Sequence, residues 1–158
     1  MPEELSDHEP KDIDVIRAEV DQIADKLGTP IDDRIKETVV ALKLNGFETS
    51  GSCEGHLDGF PLPYVDIETD EPEGWRDNPV LQAQWRERNL QQRARFEPIL
   101  VEFNQHRDPN HRLGLQERGI YGAFKVQPGS TPDEVTAEQL TAYQEDMAAF
   151  SRYLIDRA

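Results

Sequence analysis

"VVALKLNGFETSGSCEGH", residues 39–56, contains the change of period that decides the fold. Before it, Ile31, Ile35, Val39 and Leu42 lie three or four residues apart, one apolar stripe along a helix that stops at Asn45-Gly46. From Phe47 the period becomes two, and the run is rich in Thr and Ser, as suits a strand entering a loop. The loop "EGHLDGFPLP", residues 54–63, has two glycines and two prolines and continues neither kind of element. "YVDIETD", residues 64–70, reads as a second strand, with Val65 and Ile67 on one side and Asp66 and Glu68 on the other. Pro72 and Gly74 close it.

Upstream, Ile13, Ile16, Val20, Ile23 and Leu27 form another helical stripe, ending at Gly28. Thr29 as N-cap, Pro30 at the first helical position and Asp32-Asp33 near the positive dipole end restart the chain. The short link predicts a helical hairpin. Downstream, residues 79–107 predict a long helix, its stripe weak before Leu90 and better through Phe96, Ile99, Leu100 and Phe103. Pro98 should kink or divide it, since proline lacks the N–H and its ring displaces a carbonyl. "HRLGLQ" (111–116) and "IYGAFKVQ" (120–127) predict a hairpin. The last helix carries Leu140, Tyr143, Met147, Phe150 and Leu154, and either Thr131 or Thr136 would start it. The order ααββ-α-ββα has no regular β-α alternation. It predicts an α+β fold of two layers, with an antiparallel or mixed sheet of about four strands covered by helices. Residues 1–11 read as an acidic flexible tail and 12–158 as a single α+β domain.

The chain has 158 residues, 36% of them hydrophobic, with a mean hydropathy of −0.74. Its apolar runs are too short to span a bilayer, and "MPEELSDHEPKD" lacks the basic and apolar regions of a signal peptide. One cysteine excludes an internal disulfide. A cytoplasmic protein with no membrane partner is the expectation. A net charge of −15 argues against a general nucleic-acid binder, which needs Lys and Arg to neutralise phosphates. Residues 75–127 nevertheless hold nine basic and six acidic side chains, a local +3 that leaves −18 elsewhere. Such a face reads first as arginines paired with neighbouring carboxylates, and second as a surface for an anionic ligand. Trp75, Val80, Leu81 and Trp85 have few places to be buried, which favours a homo-oligomer.

The chemistry concentrates where the first strand meets its loop. Ser50, Gly51, Ser52, Cys53, Glu54, Gly55 and His56 form the candidate ligand-binding segment. Its glycines let main-chain N–H groups approach a ligand, and its serines add hydroxyls. Cys53 and His56 have the spacing of half a zinc site, which His106 and His111 would complete, with Asp58, Asp66 and Glu68 as alternative oxygen ligands. Cys53 as a thiolate nucleophile with His56 as its base is the second chemistry. Glu54 and Asp58 oppose it by raising the thiol pKa. Simple recognition of a polar small molecule is the third. Against all of them, a lone cysteine ending a strand is most often a small buried apolar side chain.

"GFETSGSCEGH" resembles a motif of small uncharacterised bacterial and phage proteins, a G-F-x-T strand followed by an S-C-x-G-H loop. Phe47, Thr49, Ser52, Cys53 and Gly55 are also similar to a pattern of the wybutosine-synthesising tRNA methyltransferases, whose loop reads S-C-x-G-R. That resemblance covers about 25 residues and implies methylation of a modified tRNA base with S-adenosylmethionine. His56 stands where that family has arginine, and Glu54 brings a negative charge. Three functions follow: a protein binding a metal ion or a small polar ligand at the Ser50–His56 loop, a methyltransferase-like enzyme, or an acidic protein-interaction module.

Overall fold

The computed structural model describes residues 12–23, 28, 30–130 and 132–158. Among the described residues the fold has four α-helices and one four-stranded antiparallel sheet: α1 (Ile13–Asp21), α2 (Asp33–Leu44), β1 (Thr49–Cys53), β2 (Tyr64–Ile67), α3 (Pro79–Asn104), β3 (Leu113–Glu117), β4 (Phe124–Pro128) and α4 (Ala137–Arg157). The strand order is β1-β2-β4-β3, so two hairpins meet at β2 and β4. The α+β class and the element order agree with the period change at Phe47.

One face of the sheet is apolar and covered. Val65 and Ile67 of β2 and Phe124 and Val126 of β4 are fully buried, packed with Val39 and Leu42 of α2, Phe96 of α3, and Met147 and Phe150 of α4. The alternation that buries them turns Tyr64, Asp66, Lys125 and Gln127 to the opposite face, away from the helices among the described residues. Between α2 and α4 the core also holds a satisfied polar pair. Thr38 Oγ1 lies 2.8 Å from Ser151 Oγ, and the Ser151 hydroxyl reaches the Met147 carbonyl at 2.9 Å.

Several element ends differ from the reading of the sequence. Helix α2 begins at Asp33 with Asp32 in the N-cap position, not at Pro30; Thr29 and Leu27 lie outside the described residues, as do residues 1–11. Helix α3 is not divided at Pro98. The proline sits on the exposed side, while Phe96, Ile99, Leu100 and Phe103 anchor both flanks in the core. Of the two starts proposed for α4, the structure uses Thr136. Its side chain accepts from Gln139 N–H at 3.1 Å and Gln139 Oε1 accepts from Thr136 N–H at 2.9 Å, a complete capping box.

The acidic residues beyond β2, Asp70, Glu71 and Glu73, are exposed, but Asp66 within it is not. β2 lies inside the sheet, and Asp66 is only 6% exposed. Trp85, too, is buried within the chain: it stacks on Tyr121 at 5.0 Å and donates to the Thr69 carbonyl at 3.0 Å, with Trp75 packed against both rings. The oligomer expectation therefore loses its main support, and Val80, 64% exposed, is what remains of it. Among the basic residues of 75–127, Arg93 pairs with Glu97 and Glu117, Arg107 with Asp146, and Arg118 with Glu68 and Asp66. Pairing with carboxylates was the first reading of that face, and these three arginines follow it. No helix among the described residues is long and apolar enough to cross a membrane.

Candidate functional site

Strand β1 ends at Cys53, paired in register with Tyr64, and the chain turns at Gly55, whose φ is +90°. A β-bulge lies between Thr49 and Gly51, leaving Ser50 exposed. Ser52 is paired with Val65, whose side chain is in the core, so Ser52 does not share the cysteine's direction. Gly51 is required for room, not for bending: a Cβ there would lie 2.8 Å from Asp66 Oδ2.

The residue that completes the cluster comes from the start of α2. Asp32 occupies the N-cap position but makes no cap hydrogen bond with its own helix. Its Oδ2 instead accepts from Glu54 N–H at 3.1 Å and lies 3.4 Å from His56 Nε2. The helix terminus is served in exchange by Glu54, whose Oε1 accepts from Arg34 N–H at 3.0 Å. The two carboxylates thus cross, each satisfying the other's segment. Gln144 of α4 donates to the Glu54 carbonyl at 2.9 Å, and Gly55 packs against Leu140, fixing the loop from a third side.

The result is a converging donor set. One ligand atom each from Asp32, Cys53 and His56 lies within 4.8 Å of the other two. A tetrahedral ion bound at zinc distances spaces its donors by roughly 3.5 Å, which the Asp32–His56 pair already meets at 3.4 Å, so closure needs a shift of at most about 1 Å. His56 is exposed, while Asp32 and Cys53 are half-buried. Burial pushes the Cys53 thiol up, the Gly55 N–H donating to its sulfur at 3.3 Å pulls it down, and the charges of Asp32 and Glu54 push it up again. The metal-free thiol is therefore held protonated and is a poor nucleophile.

The proposed histidine pair is elsewhere. His111 Nδ1 lies 3.2 Å from the Asp146 carboxylate of α4, which Arg107 also engages at 2.7 Å, and His106 is exposed after the end of α3. Neither belongs to the cluster of Asp32, Cys53 and His56. The spacing H-x4-H suggested ligands, but the second of these imidazoles has an internal carboxylate partner. Asp58 is exposed in the loop and also stands outside the cluster.

Asp66 in β2 and Glu68 just after it, the other oxygen candidates, both pair with Arg118. Burial raises the Asp66 carboxyl above its ordinary 3.8; Arg118 and Lys125 offset this in part, and Glu68 adds to it. The folded chain therefore binds this proton more tightly than the unfolded chain, and its stability falls as pH rises through the raised value. Asp66→Asn removes that penalty. Denaturant titration should find the variant about 1–2 kcal/mol more stable than the parent at neutral pH. The difference should vanish below pH 3.8, where both states of the parent are protonated. A variant less stable at neutral pH would show that the ion pair with Arg118 outweighs burial.

No family model, no curated protein and no solved structure matches this chain.

Proposed function

We propose that this protein binds a divalent transition-metal ion, zinc by its chemistry, through Asp32 Oδ2, Cys53 Sγ and His56. The observation that supports this is the convergence of one oxygen, one sulfur and one nitrogen donor within 4.8 Å, drawn from a helix start, a strand end and a loop. Carboxylate, thiolate and imidazole form a mixed donor set that suits zinc better than magnesium or calcium, which take oxygen ligands. The supporting contacts are already in place: Glu54 N–H orients Asp32, and Gly55 N–H orients Cys53. With three protein donors, the fourth position is open to water or a ligand oxygen, which a bound ion would polarise.

Protein purified without a histidine tag and equilibrated with zinc should retain one ion per chain by elemental analysis after gel filtration. Cys53→Ser and His56→Ala should each weaken zinc binding at least about tenfold in a chelator competition, whereas His106→Ala and His111→Ala should leave it unchanged. Replacing zinc with cobalt should give the near-ultraviolet absorption of a cobalt–thiolate bond, absent in Cys53→Ser. Because the raised Cys53 thiol must lose its proton to bind, affinity should climb by about tenfold per pH unit between about pH 6 and 8. Metal-free protein after reconstitution, or full binding in the Cys53→Ser, His56→Ala double variant, would reject the assignment.

A further inference from the structure

We infer that the open face of the sheet holds a second site, for a small aromatic acid bearing a hydroxyl or amino group on the carbon next to its carboxylate. Phe60, Tyr64, Asp66, Arg118 and Lys125 line a concavity of about 300 Å³ on that face. It does not depend on metal at Cys53, although Tyr64 is the cross-strand partner of that residue.

Two observations point to a ligand. The first is Asp66. Its side chain is buried, makes no hydrogen bond among the described residues, and has a single ion pair, Oδ2 to Arg118 Nε at 3.5 Å. Its Oδ1 is buried and unpartnered. A buried carboxylate oxygen without a donor is strongly disfavoured and rare in folded proteins. The fold has also kept space beside it by placing Gly51 opposite.

The second is Lys125, the cross-strand neighbour of Asp66. Its Nζ lies 5.1 Å from the Phe60 ring centroid and 4.8 Å from that of Tyr64. It has no hydrogen-bond or ion-pair acceptor among the described residues, so the aromatic faces hold the ammonium while leaving its N–H donors free. A buried acceptor that needs a donor therefore stands next to a cation that needs an acceptor.

The lining fixes the class of ligand. Arg118 is already paired with Glu68 and Asp66, so Lys125 is the cation left to meet an anionic group. A carboxylate on Lys125 and an adjacent O–H or N–H on the Asp66 carboxylate serve both groups from neighbouring carbons. Phe60, packed edge-on against Tyr64 yet 45% exposed, offers an apolar wall for a ring. An aromatic acid without the hydroxyl meets Lys125 but leaves Asp66 as it was.

The test is a titration of metal-free, nitrogen-15-labelled protein with 3-phenyllactate, read by amide chemical shifts. Saturable shifts centred on Phe60, Tyr64, Asp66 and Lys125, with a roughly millimolar dissociation constant for a ligand of this size, are the expected result. 3-Phenylpropionate, which lacks the hydroxyl, should bind at least about fivefold more weakly, and Lys125→Met should weaken phenyllactate at least about tenfold. Phe60→Ala, in an exposed loop, serves as the second variant if Lys125→Met does not fold, with the same direction expected. Absence of saturable shifts with both phenyllactate and phenylalanine overturns the proposal. So do shifts centred on other residues, or equal binding of phenylpropionate.

Discussion

Phe96→Ala should lower the unfolding free energy by about 3–5 kcal/mol, the usual cost of truncating a fully packed phenylalanine. Phe96 is where the layers join. From α3 its ring meets Phe47 edge-on at 5.6 Å, Phe124 of β4 at 5.2 Å and Phe150 of α4 edge-on at 6.0 Å. It is fully buried, so alanine leaves a cavity lined by three rings anchored in different elements. Those rings cannot all close on the gap without moving the sheet or a helix, which places the cost toward the upper end. The melting temperature should fall by about 6–20 °C for a chain of this length. Val101→Ala is the control: on the same helix but 59% exposed, it should stay within about 0.5 kcal/mol of the parent. Equal losses for the two variants would show that the ring cluster does not set Phe96 apart in holding α3, since alanine raises helix propensity at both positions.

That cluster was legible in part. Phe96, Ile99, Leu100 and Phe103 stand at helical spacing and were assigned to the core from their pattern, as were Val65 and Ile67 by alternation. The period change at Phe47 placed β1, and paired signals such as Thr136 with Gln139 marked a helix start in the chain itself. What could not be read locally depends on which element lies beside which. "VDIE" shows a strand with one polar face; that β2 is interior and Asp66 buried depends on β4 and on Gly51 opposite. Trp85 seemed to lack a partner because Tyr121, on which it stacks, is 36 positions away in the loop before β4.

The candidate site shows the same division more sharply. Its position, and the choice of Cys53 and His56 as candidate donors, followed from the cluster of Ser, Gly, Cys and His where a strand ends. Asp32 did not. An aspartate before a helix reads as a cap, and in isolation capping its own helix is what it would do. Here Glu54 caps α2 at Arg34, 20 positions away, and frees Asp32 for the loop. Only the packing of β1 beside the start of α2 brings the third donor into place. The histidines that seemed to supply the missing ligands fail for the opposite reason. Their H-x4-H spacing is a local signal, and the fold sends His111 to Asp146.

Gly55→Ala tests whether that packing holds the site together, and it should cost about 2–4 kcal/mol, a loss of about 5–15 °C in melting temperature. Two independent effects add. At φ +90° a side chain is strained whatever the space around it, worth about 1–2 kcal/mol. A Cβ would also lie 2.6 Å from Leu140 Cδ1, and 3.2 Å from both the Leu62 carbonyl carbon and the Pro61 oxygen. The leucine tip can rotate away, but the main chain of Pro61 and Leu62 cannot, so the loop must lift from α4. Lifting it strains the Gln144 bond to Glu54, the exchange between Glu54 and Asp32, and the Gly55 N–H to Cys53 Sγ. Zinc affinity in Gly55→Ala should accordingly fall at least about tenfold at a temperature where the variant is still folded. Gly59→Ala, in the same loop with its nearest neighbour, the His56 Cβ, at 3.9 Å, should change neither quantity appreciably. If Gly55→Ala were destabilised but bound zinc as tightly as the parent, the donors would be held by their own short segments rather than by the seating of the loop on α4. Unaltered stability would mean that the Leu140 side chain and the turn both yield, and that Gly55 is not the fixed point from which the site is built.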